Sequence, residues 1–154
     1  MALEIERKFK VANADWRDSV TRSTSLRQGY LSTKPEATVR VRLENGVGTL
    51  TIKSKTRGIS RSEFEYDIPS SEATQLLQLC EGPLIEKIRH LVIIGEHTWE
   101  IDEFSGDNQG LIITEIELSS EDESFKKPAW LGKEVSHDAR YYNSSLVTHP
   151  YNQW

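Results

Sequence analysis

The sequence predicts an α+β fold dominated by antiparallel strands, about eight of them, with a few short helices between and after them. Three observations carry this. Apolar and polar residues alternate with a period of two over most of the chain, which is the pattern of strands with two unlike faces. The alternating runs are joined by short turn signals, among them Asn45-Gly46 and Gly95-Glu96. Three- and four-residue helical spacing surfaces only after Pro69 and in the tail.

At 154 residues, with 36% hydrophobic and 28% charged residues, the chain is long enough for one sizeable core, and a single domain over 1–154 is expected. A formal net charge of -5 and a pI near 5.4 argue against a general nucleic-acid or anionic-membrane binder, while leaving room for a small anion in a local basic site. Cys80 is the one cysteine, so no intrachain disulfide is expected and a reducing, cytoplasmic setting fits. Charge begins within a few residues of Met1, with no apolar signal core, and no run approaches membrane-spanning length.

The first strand, Leu3 to Val11, places Glu4, Glu6 and Lys8 on one face and Leu3, Ile5, Phe9 and Val11 on the other. Asn13 or Asp15 can cap a short helical turn over Trp16 to Val20. A second strand is expected over Ser25 to Leu31, with Gln28 and Tyr30 on one face, then a turn through Pro35. Thr38 to Glu44 alternates Val39, Val41 and Leu43 against Thr38, Arg40, Arg42 and Glu44. Across Asn45-Gly46, Leu50 and Ile52 oppose Thr49, Thr51, Lys53 and Lys55. That hairpin gathers two arginines and two lysines on one face, a costly arrangement unless an anion sits between them.

Ser62 to Ile68 carries Glu63, Glu65 and Asp67 opposite Phe64, Tyr66 and Ile68. Ser70-Ser71 then opens a helix whose Ala73, Leu76, Leu77 and Cys80 form a packing stripe, and Gly82-Pro83 is expected to end it. Ile85 to Ile94 presents Lys87 and Arg89 together. His97 to Phe104 presents Glu100 and Asp102, and Leu111 to Leu118 presents Glu115 and Glu117. The tail holds an acidic run, Glu121-Asp122-Glu123, a segment around Trp130 to Val135, and a short helix near Asp138 to Leu146. The four histidines share no metal-ligand spacing, and the four tryptophans read as core or interface aromatics.

Charge is thus sorted nearly one sign to a strand. A solvated outer face remains the simplest reading of any one strand. For the set, a sheet closed on itself explains more: the charged face lines an interior and the aliphatic face packs outward. Such an interior is tolerable only if it holds a ligand that is itself highly charged, because unpaired buried ions cost several kcal/mol each, on the order of their desolvation penalty. Arginine and lysine suit phosphate oxygens. Carboxylate groups suit Mg²⁺ or Mn²⁺, and a metal–polyphosphate complex needs both sets.

With those residues assembled, the sequence resembles the CYTH, or triphosphate tunnel metalloenzyme, family. Glu4, Glu6 and Lys8 match its Glu-x-Glu-x-Lys signature. The likeness continues through Arg40 and Arg42, Lys53, Lys87 and Arg89, and Glu115 and Glu117, and so covers nearly the whole chain. The resemblance implies a closed eight-stranded antiparallel β-barrel that binds triphosphate compounds with Mg²⁺ or Mn²⁺. It implies that Arg40, Arg42, Lys53, Lys87 and Arg89, with Lys55 at a mouth and Lys133 from the tail, grip phosphates. Glu4, Glu6, Glu115 and Glu117, helped by Glu100 or Asp102, are implied as metal ligands. Lys8 and Tyr30 are a candidate pair beside the attacked phosphate, and Glu63 or Glu65 a candidate for orienting water. Inorganic triphosphatase activity is the favoured expectation, since no appended helical domain and no nucleoside pocket is evident and the tail, Asp138 to Leu146, looks like that of compact bacterial members. Adenylyl cyclase of the class IV type, thiamine or nucleoside triphosphatase, and a non-catalytic polyphosphate- or nucleotide-binding module are the alternatives. A homodimer is a further implication of the resemblance alone.

Overall fold

The structure, a computed structural model, describes residues 3–154. Among the described residues nine strands form the sheet: β1 (Leu3–Val11), β2 (Val20–Ser32), β3 (Ala37–Glu44), β4 (Val47–Ser54), β5 (Ser60–Ile68), β6 (Glu81–Ile94), β7 (His97–Phe104), β8 (Ile112–Glu117) and β9 (Leu131–Glu134). Their order is β5-β4-β3-β2-β6-β7-β8-β1-β9, and β1 also pairs with β5. That last pairing, Leu3 to Ile5 against Ser60 to Ser62, closes β1 to β8 into an antiparallel barrel. Beyond it the same edge of β1 takes β9, at Phe9 and Val11. Closure leaves few unpaired backbone groups, which is how a sheet this polar on one face avoids an exposed edge.

The expected alternation holds on the outer face. Ile5, Phe9, Val92, Trp99, Ile101, Ile116 and Leu118 form one buried cluster with Trp16 and Trp130. It is covered by irregular chain, since the helix expected over Trp16 to Val20 is only a 3₁₀ turn at Asp15–Ser19 and Val20 already belongs to β2. A helix, α1 (Ser70–Leu77), covers the β3–β4 side, where Ala73 and Leu77 pack on Val41 with Leu43, Leu50 and Ile68 around them. Gly48 permits that approach: a Cβ there would lie 2.7 Å from Ala73 Cβ. Phe64 and Tyr66, farther along β5, stay exposed.

Three further expectations give way. β5 begins at Ser60 rather than Ser62, because β1 supplies pairing partners there. Gly82-Pro83 lies inside β6, where Gly82 takes φ +66° and the register against β2 shifts between Gln28 and Tyr30; at such a bulge a missing N–H costs little. The tail helix is split into a 3₁₀ turn, Ala139–Tyr141, and α2 (Asn143–Thr148).

The tail closes one end of the barrel. Tyr30, Ile85, Phe104 and Ile113 share the inward parity of the charged residues, and they pack with Leu111, Val135, Tyr141, Leu146 and Val147 in one buried apolar cluster. The interior is therefore apolar at this end and charged elsewhere.

Candidate active site

The charged interior encloses a cavity of about 290 Å³. Its lining includes the carboxylates of Glu4, Glu6, Glu63, Glu65, Glu100, Glu115 and Glu117 and the cations of Lys8, Arg40, Arg42, Lys53, Arg61, Lys87 and Arg89. Period-two alternation on a closed sheet puts all of them inside. Tyr30 lines it too, as do Tyr142, Asn143 and Ser144 from the tail.

Lys55 and Lys133 are not brought to the cavity. Lys55 lies one residue beyond the end of β4, where the alternation that would have turned it inward has ceased, and it is exposed. Lys133 is exposed on β9, which pairs outside the closed ring, and borders a shallow groove formed by residues 133–139. Asp102 does face inward but lies beneath the lining. Its Oδ1 accepts from Arg89 Nε at 2.8 Å, its Oδ2 accepts from Arg89 Nη2 at 2.9 Å, and Lys87 Nζ stands 2.7 Å from the same Oδ2. Both oxygens are engaged by cations, so in this arrangement neither is free for metal.

The cations differ in how many donors remain. Arg89 spends Nε and Nη2 on Asp102 and Nη1 on Glu100 (3.1 Å). Lys87 Nζ is held by Asp102 and by Asn143 Oδ1 at 3.0 Å, the same oxygen that accepts from Gln28 Nε2 at 3.1 Å. Arg42 instead donates only Nε, to Gln28 Oε1 at 3.1 Å, and its terminal amino groups meet no acceptor among the described residues. Arg40 donates Nη2 to Thr51 Oγ1 at 3.2 Å, while its Nε is buried with no partner. A buried guanidinium donor without an acceptor, as Arg40 Nε is, is expensive unless a ligand supplies one. Lys8 Nζ donates to the Tyr141 carbonyl at 3.1 Å and lies 3.6 Å from Glu115 Oε1; no hydrogen bond joins it to Tyr30 among the described residues.

Electrostatics divide the groups further. Burial opposes the charge on Glu4 and Glu115, but Lys53 and Arg61 hold Glu4 at about 2, and Lys8, Arg89 and Lys87 hold Glu115 at about 2. Burial pushes Glu6 well above the ordinary range, reinforced by Glu115 and Glu4. Glu63, Glu100 and Glu117 are also raised by burial, opposed by Lys53 or Arg89 and added to by neighbouring carboxylates. Burial lowers Arg42 to about 10, with Arg40 and Arg89 adding to the effect. Lys87 falls to about 7 despite its short contact with Asp102: burial dominates, and Arg89 and Arg42 crowd it. One carboxylate is shared by two cations here, and Arg89 takes the larger share.

Strand register explains the strained carboxylates. Glu6 stands opposite Glu117, and Glu100 opposite Glu115. Like charges in those positions repel, and a cation between them would relieve it. No three acidic, histidine or cysteine groups converge into a ready cage among the described residues. The donor set therefore suits an ion bound by one or two carboxylates that completes its shell with water and ligand oxygens, the habit of Mg²⁺-like cations.

One consequence is measurable without substrate. A carboxyl raised by folding keeps its proton where the unfolded chain, with its ordinary value of 4.5, has lost it, so Glu6 takes stability away as the pH rises above that value. Glu4 and Glu115 act oppositely, stabilising above 4.5 and losing that contribution as the pH falls toward 2. Glu6→Gln is expected to raise the melting temperature in EDTA at pH 8 by about 3 °C or more, with a smaller gain at pH 5. Equal melting of variant and wild type at pH 8 would mean that Glu6 is not held under repulsion.

Sequence reasoning missed Arg61 and the tail contributors Tyr142 and Asn143. Arg61 shares the inward parity of Glu63 and Glu65 and was legible as such once β5 is begun two residues earlier. No local signal places Asn143, which reaches the interior by a distant chain reversal.

The CYTH domain model matches residues 2–151. An inorganic triphosphatase of Acetivibrio thermocellus is 48% identical over 155 residues, spanning 100% of this chain and 99% of that protein. Another inorganic triphosphatase, of Nitrosomonas europaea, is 37% identical over 148 residues, covering 94% and 96%. The crystal structure of the inorganic triphosphatase NE1496 superposes with a TM-score of 0.68 at 34% identity, covering 94% of this chain and 97% of that one. With a closed barrel, a charged lumen and a family match over nearly its whole length, the chain belongs to the CYTH domain family.

Proposed function

We propose that this chain is a divalent-metal-dependent hydrolase of inorganic triphosphate that releases phosphate from a substrate held inside the barrel. The observation that carries the reading is the presence, in one lumen, of guanidiniums with unspent donors and carboxylates pushed above their ordinary range. One set suits an anion and the other suits a cation. Similarity to two inorganic triphosphatases supports the substrate class.

The lining bears seven carboxylates and seven cations, so it offers little net charge to a polyanion of four or five negative charges. Divalent ions entering with the anion restore the balance, and Mg²⁺ or Mn²⁺ suits the oxygen donors. When bound, such an ion neutralises phosphate oxygens and makes water a better nucleophile. One or two carboxylates drawn from Glu4, Glu6, Glu115 and Glu117, with Glu100, would hold each such ion. Arg40 and Arg42 would meet the phosphates directly. Lys53, Lys87 and Arg89 contribute field as much as contact, because most of their donors are spent within the lumen. Lys8 and Tyr30, which both line the cavity, would stand beside the reacting phosphate. Glu63 or Glu65, which receive Lys53 and Thr51 at 3.3 Å, would orient water. Phosphoryl transfer asks for little more than this positioning and charge stabilisation.

The lining favours a bare polyphosphate over a nucleotide. It is almost wholly polar, with Ile59, Tyr30 and Tyr142 its main apolar surface, and the tail blocks one end. Among the described residues no helix is long and apolar enough to cross a membrane. A single domain working in the cytoplasm, without nucleic acid or membrane contact, completes the proposal.

A malachite-green assay on inorganic triphosphate, ATP and thiamine triphosphate tests it, each with Mg²⁺, Mn²⁺ or EDTA. Release from inorganic triphosphate should exceed the other two by roughly a hundredfold or more and vanish in EDTA. Thermal stabilisation by triphosphate and metal without phosphate release would make the chain a binding module instead.

A further inference from the structure

Glu4 faces Arg61 across the β1–β5 seam that closes the barrel, in direct register. Arg61 Nε donates to Glu4 Oε1 at 2.9 Å, while Lys53 Nζ reaches both Glu4 oxygens, at 3.2 and 2.9 Å. Both oxygens of this carboxylate are therefore occupied by protein cations, and an incoming ion can use Glu4 only if one of them moves. Lys53 is the better anchored. Its ammonium has a third carboxylate contact, to Glu63 at 3.3 Å, and its side chain is only 11% exposed. Arg61 has one contact, is 25% exposed, and stands beside the β4–β5 turn whose Thr56, Gly58 and Ile59 also border the cavity. Its two terminal amino groups meet no acceptor among the described residues. A guanidinium tethered by Nε alone keeps its fork open toward the lumen.

We infer that Arg61 is a transferable counter-ion, holding Glu4 in the ligand-free lumen and passing to a phosphate oxygen of the substrate when a divalent cation takes Glu4. This rests on reading the lumen as a metal–triphosphate site. It links the two ligands through one side chain: the metal frees the cation that the anion needs. Arginine serves this exchange better than lysine, since its planar fork grips phosphate in two-point fashion.

Calorimetric titration with Mn²⁺ alone, paired with steady-state kinetics on triphosphate at saturating Mn²⁺, tests the inference in Arg61→Ala, Arg61→Gln and Arg61→Lys. Using three variants keeps the comparison intact if one folds poorly. The neutral variants are expected to bind Mn²⁺ about threefold to tenfold more tightly than wild type, because a competitor for Glu4 has gone. Their KM for triphosphate should rise roughly tenfold, with a smaller change in kcat. Arg61→Lys should keep wild-type Mn²⁺ affinity and still show the raised KM, since it retains the charge and lacks the fork. Unchanged or weaker Mn²⁺ binding in the neutral variants, or an unchanged KM, overturns the inference while leaving the wider site reading in place. If wild type itself binds neither Mn²⁺ nor triphosphate, both readings fall together.

Discussion

Asp102→Ala is expected to destabilise the protein by about 3–5 kcal/mol, lowering the melting temperature by roughly 10 °C. Asp102 is fully buried and is the shared partner of Lys87 and Arg89, whose side chains are 1% and 10% exposed. Removing it leaves two enclosed cations facing each other and Arg42. Lys87, already down at about 7, can shed its proton in response; Arg89 cannot, and keeps only Glu100. The loss is therefore mainly that of an unpaired guanidinium. Asp102→Asn preserves shape and one acceptor and should cost less than Asp102→Ala. Urea denaturation of the three proteins in EDTA measures this directly. A variant that keeps wild-type stability but loses metal affinity would return Asp102 to the ligand role that its strand position suggested.

That correction shows what the amino-acid pattern holds and what it omits. Alternation assigns a residue to a face. Glu100 and Asp102 are two apart on β7 and share the inward face, yet one lines the cavity and the other is locked beneath it. Depth along the barrel depends on which residues sit across the register, and here Arg89 lies directly opposite Asp102. The Gly95-Glu96 hairpin sets that pairing locally, but what lies over it comes from strands distant in sequence, and register between those has no local signature. The same holds for Arg61, whose strand is extended by pairing with β1, and for Asn143, which enters from the tail. Ile85, Phe104 and Ile113 carry the opposite lesson: apolar residues on a charged face mark where the lumen is plugged, and they stand at the ends of their charged runs. Most of the remaining site was legible because most strands devote their inward positions to one sign of charge. Lys55 fell outside because alternation stops with the strand, and Lys133 because β9 joins the sheet beyond the closed ring.

Arg42→Ala is expected to cut kcat/KM for triphosphate by about a thousandfold or more, the scale of losing an arginine that meets a transferring phosphoryl group. It should do so without loss of fold. Arg42 is lowered to about 10 by burial and by Arg40 and Arg89, which means that the protein groups of the folded lumen disfavour its charge. A base lowered by folding contributes least to stability at pH values below its folded value, where it must carry its proton in both states. At pH 7 its removal therefore relieves repulsion and forfeits one hydrogen bond, from Nε to Gln28 Oε1. The melting temperature in EDTA should equal or exceed that of wild type, whereas stabilisation by triphosphate with Mn²⁺ should largely disappear. Activity and stability thus move apart, as expected where a site stores unfavourable charge that only its ligand repays. If Arg42→Ala melts well below wild type and activity falls only in proportion to the folded fraction, Arg42 is a packing residue and the open donors of this guanidinium do not mark where the anion binds.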